Sequence, residues 1–203
     1  MLKELPPLSP ASFFTFSLSL RKKGTFQALP DLTSLTCEDP FAEVKIKFDE
    51  ESISFRFEVN APFKEVSFPK VERGDGIELF LDTRDLKSSK TTTKFCHHFV
   101  FLPAAVDEMQ GCEVTKFRSD DSHEYPEKEL LRPQVSFTKK GYTLEAILTK
   151  ETLYGYDPQE FPRIGCAYRI HRTQGRAQHF GPPSSEFSLE SSPHIWPSIH
   201  LRL

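Results

Sequence analysis

The chain has 203 residues, enough for one large domain or two small ones with a substantial core. Its 19 Phe and nine Gly are typical of a globular protein with an aromatic core, and they exclude a disordered or fibrous chain. With a formal net charge of -3, the chain has no excess of basic residues of the kind that binds nucleic acid or an anionic membrane surface. No run approaches the roughly 18 apolar residues that span a bilayer. We therefore expect neither a nucleic-acid partner nor a membrane.

The N-terminus does not have the pattern of a secretion signal. Residues 1–7 contain no apolar core, and the alternating run 13–20 comes before the basic residues 21–23, which is the reverse of the signal-peptide order. We interpret 13–20 as a first β-strand, with Phe14, Phe16, Leu18 and Leu20 on one face. The expected location is cytoplasmic, and export by a non-Sec route stays open.

Four widely spaced cysteines, Cys37, Cys96, Cys112 and Cys166, include no C-x-x-C pair. In a cytoplasmic protein this spacing favours free, mostly buried thiols, although disulfides stay open as the alternative.

Apolar and polar residues alternate along most of the chain with the period of a β-strand. The clearest unit is a hairpin over 44–59 that turns at 49–52, and a second hairpin joins 135–137 to 142–148. Further strands are predicted over 74–85, 95–102, where Pro103 ends the strand, 111–118, 163–172 and 199–203. The segment 63–71 is expected to be an edge strand or an extended connection.

Between these strands, 29–40 is predicted to be a loop with one helical turn, 119–133 an exposed charged loop, and 149–155 a short helical turn. Many short strands, almost no helix and no crossover pattern predict an antiparallel β-sandwich with jelly-roll-like connections. We find no linker or repeat, so residues 1–203 are expected to form a single domain.

The strand at 74–85 carries the strongest functional signal. Alternation places Ile77, Leu79 and Leu81 on one face, which is a plain core pattern. The opposite face carries Phe80 between two carboxylates, Glu78 and Asp82. An aromatic flanked by carboxylates is an unusual composition for a merely solvated face and predicts a shallow binding surface. On the strand 163–172, Arg169 has the phase to pair with Glu78 or with a ligand oxygen.

His97 and His98 follow Cys96 and raise the question of a metal site, with His171 or His179 as distant ligands. Successive residues of a strand point to opposite faces, so the two histidines cannot easily bind one ion. We therefore predict no metal and interpret them as core or groove histidines. The sequence contains no nucleophile elbow, phosphate loop or dinucleotide fingerprint, and no cofactor or catalytic residue is predicted.

Three segments point to a known family by their order: 40–44 (PFAEV), 75–82 (DGIELFLD) and 193–201 (PHIWPSIHL). The same order occurs in family 9 carbohydrate-binding modules, and the wider DOMON-related group shares the pattern, so the chain resembles both. Segments 95–103 and 160–165 resemble a bacterial branch of this group. The resemblance covers most of the chain and implies a β-sandwich that binds sugar without catalysis.

In the sugar-binding members of this family, two Trp side chains clamp one sugar unit while polar side chains bond its hydroxyls. This chain has a single Trp, Trp196, in a position that the family uses for packing, and residues 70–73 before the Gly74 turn contain no aromatic. Of the family's polar positions, Glu78 carries over well.

Two functions therefore remain. The first is a non-catalytic carbohydrate-binding module of unknown ligand, with candidate ligand contacts at Glu78, Phe80, His97, His98 and Arg169. The alternative is a structural or protein-interaction sandwich that has lost sugar binding.

Overall fold

The structure is a computed structural model and describes residues 16–203, so the predicted strand residues 13–15 lie outside the described part. It contains twelve strands: β1 (Ser17–Arg21), β2 (Gln27–Ala28), β3 (Ala42–Phe48), β4 (Ser52–Val59), β5 (Gly76–Asp82), β6 (Cys96–Val106), β7 (Met109–Glu113), β8 (Gln134–Phe137), β9 (Tyr142–Thr149), β10 (Arg163–His171), β11 (Gln178–Phe180) and β12 (Ser198–Arg202).

Helical structure in the described residues is limited to short turns. The one α-helix is α1 (Thr33–Thr36), and 3-10 turns cover Val71–Arg73, Lys128–Leu131, Leu189–Ser191 and Pro193–Ile195. Within residues 16–203, no helix has the length and apolar character needed to cross a bilayer.

The strands form two sheets. The first has the order β1-β12-β10-β5-β6-β7, with β11 also paired to β10, and the second has the order β2-β3-β4-β9-β8. All pairs are antiparallel except β1 with β12. The predicted all-β antiparallel sandwich is confirmed.

Both predicted hairpins are present. In the first, β3 and β4 pair from Ala42 opposite Val59 to Phe48 opposite Ile53. The turn is held by the Asp49 carboxylate, which accepts the backbone N–H groups of Glu51 and Ser52 at 2.9 and 2.8 Å. An Asp at this position closes a turn because its short side chain reaches the backbone two and three residues further on.

The core lies between the two sheets and is built from the alternate apolar residues of each strand. Ile77, Leu79 and Leu81 of β5 face it, as predicted, together with Phe55 and Phe57 from the opposite sheet. Cys96, Cys112 and Cys166 are buried, Cys37 is exposed, and all four are free thiols.

The outer face of the first sheet is not open, contrary to the expected shallow surface. Every residue of β5 is buried, on both faces. One part of the outer face is covered by Leu189, Ile195 and Trp196, which pack on Phe80. Another part is covered by Val71, with Val66 and Phe68 packed around it. The two coverings leave a gap over the middle of the sheet.

Some predicted boundaries are wrong. β6 runs through Pro103 to Val106, because the pairing of β6 with β7 is irregular between Phe101 and Val106 and no regular ladder bond has to come from Pro103. The strand predicted at 111–118 spans Met109–Glu113. Of the two alternatives for 63–71, an edge strand or an extended connection, no regular strand forms, so the segment is a connection.

The segment 119–133 is not simply an exposed loop. The side chain of His123 is only 2% exposed, and Leu131 is 1% exposed. Both residues are surrounded by charged residues in the sequence. Two isolated buried residues produce no periodic pattern, so their burial could not be predicted from the sequence.

Candidate functional site

Glu78 lies at the centre of a polar cluster in the gap over the first sheet. Its Oε1 accepts a bond from His98 Nε2 at 3.0 Å. Its Oε2 accepts bonds from Arg169 Nε and His171 Nε2, both at 2.6 Å. Arg169 also donates from Nη2 to Glu190 Oε1 at 2.6 Å. The cluster is thus a chain of alternating acids and bases.

Strand register brings most of these residues together. Glu78 on β5 lies directly opposite Arg169 on β10, and His171 follows two residues later on the same face. On the other edge of β5, His98 of β6 lies opposite Phe80. Phe80 follows Glu78 by two residues on the same face of β5, so His98 is a neighbour of Glu78. The predicted partnership of Glu78 with Arg169 is present as an ion pair.

The charge states follow from these contacts. Burial acts to raise the pKa of Glu78, but hydrogen bonds from His171, His98 and Arg169 outweigh it and hold the pKa well below its ordinary value. Burial acts to lower the pKa of Arg169, and its bond to Glu78 reverses this and raises the pKa. Burial opposes ionisation of Glu190, yet the charge of Arg169 lowers its pKa. Glu78, Arg169 and Glu190 therefore stay charged at neutral pH.

Above this cluster lies a groove of about 450 Å³, with the coverings of the sheet as its sides. We call it the Glu78 groove. Its lining is half apolar and half charged: Phe68, Pro69, Val71, Glu72, Glu78, His98, Val100, Val114, Lys116, Arg169 and Glu190. A volume of this size is within the range of small-molecule sites, which combine apolar walls with a few convergent polar groups.

Three of the five residues proposed from the sequence line this groove: Glu78, His98 and Arg169. Phe80 does not, because it is 0% exposed under His98, whose ring lies 4.2 Å away, and under Trp196 at 5.7 Å. Phe80 cannot touch a ligand there and instead supports the His98 ring.

His97 is also absent from the groove. It points to the opposite face of the sheet, as the alternation of β6 requires, and its ring stacks on Phe99 at 5.4 Å inside the sandwich. Its Nδ1 lies 3.1 Å from Glu113 Oε1. His97 therefore belongs to a separate interior cluster.

The residues at this site that were not predicted from the sequence include His171, Phe68 and Glu190. His171 was in phase with Arg169 and could have been included from the strand pattern alone. Phe68 is a half-buried aromatic just upstream of the segment 70–73, which contains no aromatic. Glu190 comes from a Ser-rich stretch with no strand period, so no local signal marked it.

No family model matches the sequence, and no curated protein matches it either. Solved structures do match. A family 9 carbohydrate-binding module from Caldicellulosiruptor kristjanssonii, in complex with cellotriose, aligns over 92% of this chain and 93% of its own, with 12% identity and a TM-score of 0.63. A family 9 carbohydrate-binding module from the same organism, in complex with glucose, aligns over 92% of this chain and 95% of its own, with 12% identity and a TM-score of 0.60.

A candidate carbohydrate-binding protein from Bacteroides uniformis aligns over 92% of this chain and 99% of its own, with 10% identity and a TM-score of 0.52. At such identities the likeness concerns the fold. The resemblance to family 9 modules is thereby confirmed for the arrangement of the strands, and the protein has the fold of a family 9 carbohydrate-binding module.

Proposed function

We propose that this protein binds carbohydrate without catalysis, in the Glu78 groove. The observation that carries the proposal is the composition of the groove: apolar walls from Phe68, Val71 and Val100 surround a floor of fixed charges at Glu78 and Arg169. The fold shared with carbohydrate-binding modules supports the same conclusion.

The chemistry suits a sugar ring. A pyranose has apolar C–H faces and a rim of hydroxyl groups, so it needs apolar contact on its faces and both donors and acceptors at its edge. In the groove, Arg169 bonds Glu78 and Glu190 through Nε and Nη2, so its Nη1 group is not engaged by either carboxylate. The Glu190 side chain is 36% exposed and can accept a hydroxyl.

Glu78 is poorly suited to acid catalysis. A glycosidase acid must hold a proton near neutral pH, which requires a raised pKa. The three bonds to Glu78 instead keep its pKa well below the ordinary value. Its role in the proposal is to fix Arg169 and the two histidines in place.

A titration followed by two-dimensional NMR tests the proposal, using glucose, cello-oligosaccharides and xylo-oligosaccharides. Binding should shift the amide signals of residues that line the groove. Glu190→Gln should weaken binding by about tenfold, since a hydrogen bond to a charged group contributes roughly 1.5–3 kcal/mol and one to a neutral group contributes less. Phe68→Ala should weaken binding by about tenfold as well, because burying a Phe side chain against a ligand contributes roughly 1.5–3 kcal/mol.

The matched control is Phe137→Ala, which removes an aromatic that is 53% exposed on β8 of the other sheet. This variant should bind as the wild type does. The sugars should be recovered unchanged after prolonged incubation, because the proposed function includes no reaction. An absence of shifts with every sugar would overturn the proposal and favour the alternative of a structural or protein-interaction sandwich.

A further inference from the structure

A second polar cluster lies inside the sandwich, on the face of β6 opposite the Glu78 groove. It consists of His97 on β6, Glu113 at the end of β7 and His123 from the segment that follows. His97 Nδ1 and His123 Nε2 lie 3.1 and 2.9 Å from the same oxygen, Glu113 Oε1. The side chains are buried, with exposures of 0%, 0% and 2% for His97, Glu113 and His123.

The backbone determines which nitrogen of each ring carries a proton. His97 Nε2 lies 3.1 Å from the carbonyl oxygen of Tyr154, and His123 Nδ1 lies 2.6 Å from that of Lys94. A carbonyl oxygen only accepts, so both of these nitrogens must be N–H donors. The remaining nitrogens, which face Glu113, are therefore the lone-pair nitrogens when the rings are neutral.

This arrangement needs a positive centre between the three side chains. One proton can bridge only one of the two contacts with Glu113, and the other contact then sets a nitrogen lone pair against an oxygen lone pair. Two protons would require two cationic rings with centroids 4.3 Å apart in a dry interior. A divalent metal removes the conflict, because it accepts a lone pair from each of the three groups.

Glu113 supplies an independent observation. Its Oε1 already accepts the Thr115 hydroxyl at 2.6 Å, in addition to facing both rings. Its Oε2 is buried and has no hydrogen-bond partner in the described part of the protein. A buried carboxylate oxygen without a partner is costly, and metal coordination is one way to satisfy it.

We propose that His97, Glu113 and His123 form a binding site for a divalent transition metal, best suited to Zn²⁺. The donor atoms all lie within 4.8 Å of one another. Tetrahedral ligands about 2.0–2.1 Å from zinc are separated by roughly 3.4 Å, close to the two observed separations. Imidazole ligands that donate their other N–H to a backbone carbonyl are the usual outer arrangement of such sites.

A surface groove of about 380 Å³ lined by His123 and Tyr154 provides a path by which the ion could enter. Two imidazoles and one carboxylate suit zinc and its neighbours and not Ca²⁺, which prefers oxygen ligands. Since His123 comes from a long segment and its partners from strands, the metal would hold this segment against the sandwich.

The test uses the full, untagged chain after treatment with a chelator. Zn²⁺ is titrated by calorimetry, bound metal is counted by mass spectrometry, and Co²⁺ provides a visible absorption spectrum that reports coordination. We expect one equivalent of bound metal and a higher melting temperature with Zn²⁺, and no change with Ca²⁺.

His123→Gln and Glu113→Gln should weaken zinc binding by more than about 100-fold, since loss of even an outer partner of a ligand costs 10–100-fold. His179→Gln is the matched control: it removes another buried histidine, whose Nδ1 lies 2.6 Å from Glu38, and should bind zinc normally. His123 is preferred to His97 because it lies outside the strands and its loss should not prevent folding.

Nitrogen NMR of the metal-free protein separates the proposal from its rival. If no zinc is taken up, the proposal is overturned, and protonation of all four ring nitrogens of His97 and His123 at pH 7.5 would identify the cluster as a pair of imidazolium ions. Zinc binding that survives His123→Gln unchanged would also overturn it.

Discussion

At the scale of single residues, Glu78 shows how a buried charge is kept. Three cationic or hydrogen-bonding side chains converge on two oxygens of a residue that is only 7% exposed. Strand phase alone places Arg169 and His171 on one face of β10, whereas the contact with His98 depends on the register of β6 with β5.

Replacing Glu78 with Gln should destabilise the protein by about 3–5 kcal/mol, because Arg169 would remain buried with only part of its counter-charge. The folded-state pKa of Glu78 lies below the unfolded one. Its contribution to stability is therefore complete above about pH 4.5 and is lost as the pH falls below that value. Between pH 7 and pH 3, the melting temperature of Glu78→Gln should fall less steeply with decreasing pH than that of the wild type.

Glu58→Gln serves as the control for this change. Glu58 pairs with Lys45 at 2.8 Å, but the Lys45 and Glu58 side chains are 26% and 33% exposed, and such a pair contributes under about 1 kcal/mol. Equal losses of stability for the two variants, or the same fall in melting temperature with decreasing pH for Glu78→Gln and the wild type, would contradict the assigned role of Glu78.

At the scale of elements, local sequence patterns predicted the strands but not the segments that cover the outer face of the first sheet. The alternation in 44–59 was sufficient for the first hairpin, because strand period and turn chemistry are both local. The extension of β6 through Pro103 could not be predicted, since it depends on an irregularity in the pairing with β7. β11 is only three residues long and shows no measurable period.

The second hairpin depends on a close approach that only glycine permits. A Cβ at Gly141 would overlap the carbonyl oxygen of Val59, at the end of the neighbouring strand β4. Gly141→Ala should therefore push β9 away from β4 and destabilise the protein by about 1–3 kcal/mol, as overpacking usually does. Lys139→Ala, in the same turn and exposed, should change stability by no more than about 0.5 kcal/mol. Urea unfolding of both variants measures the difference, and equal midpoints would refute the steric argument.

At the scale of the whole molecule, three of the four thiols are buried: Cys166 lies between the two sheets, whereas Cys96 and Cys112 lie beneath the segments that cover the outer face of the first sheet. Burial raises the pKa of Cys96 to about 11 and also raises the pKa of Cys112 and Cys166, whereas Cys37 lies exposed. The thiolate is the reactive form, so both access and ionisation disfavour reaction of the buried three.

A chromogenic disulfide reagent should therefore modify one thiol rapidly in the native protein and three more after unfolding in denaturant. Cys37→Ser should abolish the rapid reaction in the native protein, and the other three thiols should still react after unfolding. If two or more thiols react at the same rate in the native state, the described burial of Cys96, Cys112 and Cys166 is incorrect.

The sequence by itself determined the fold class, most strands and the inward face of β5, because these follow from a period that is visible within a few neighbouring residues. It also placed Glu78 and Arg169 on one sheet face. The tertiary structure decided that Phe80 is buried, that Phe68 and Glu190 flank the groove, and that His123 meets His97 and Glu113. These outcomes depend on contacts between segments far apart in the chain, and such contacts leave no local period in the sequence.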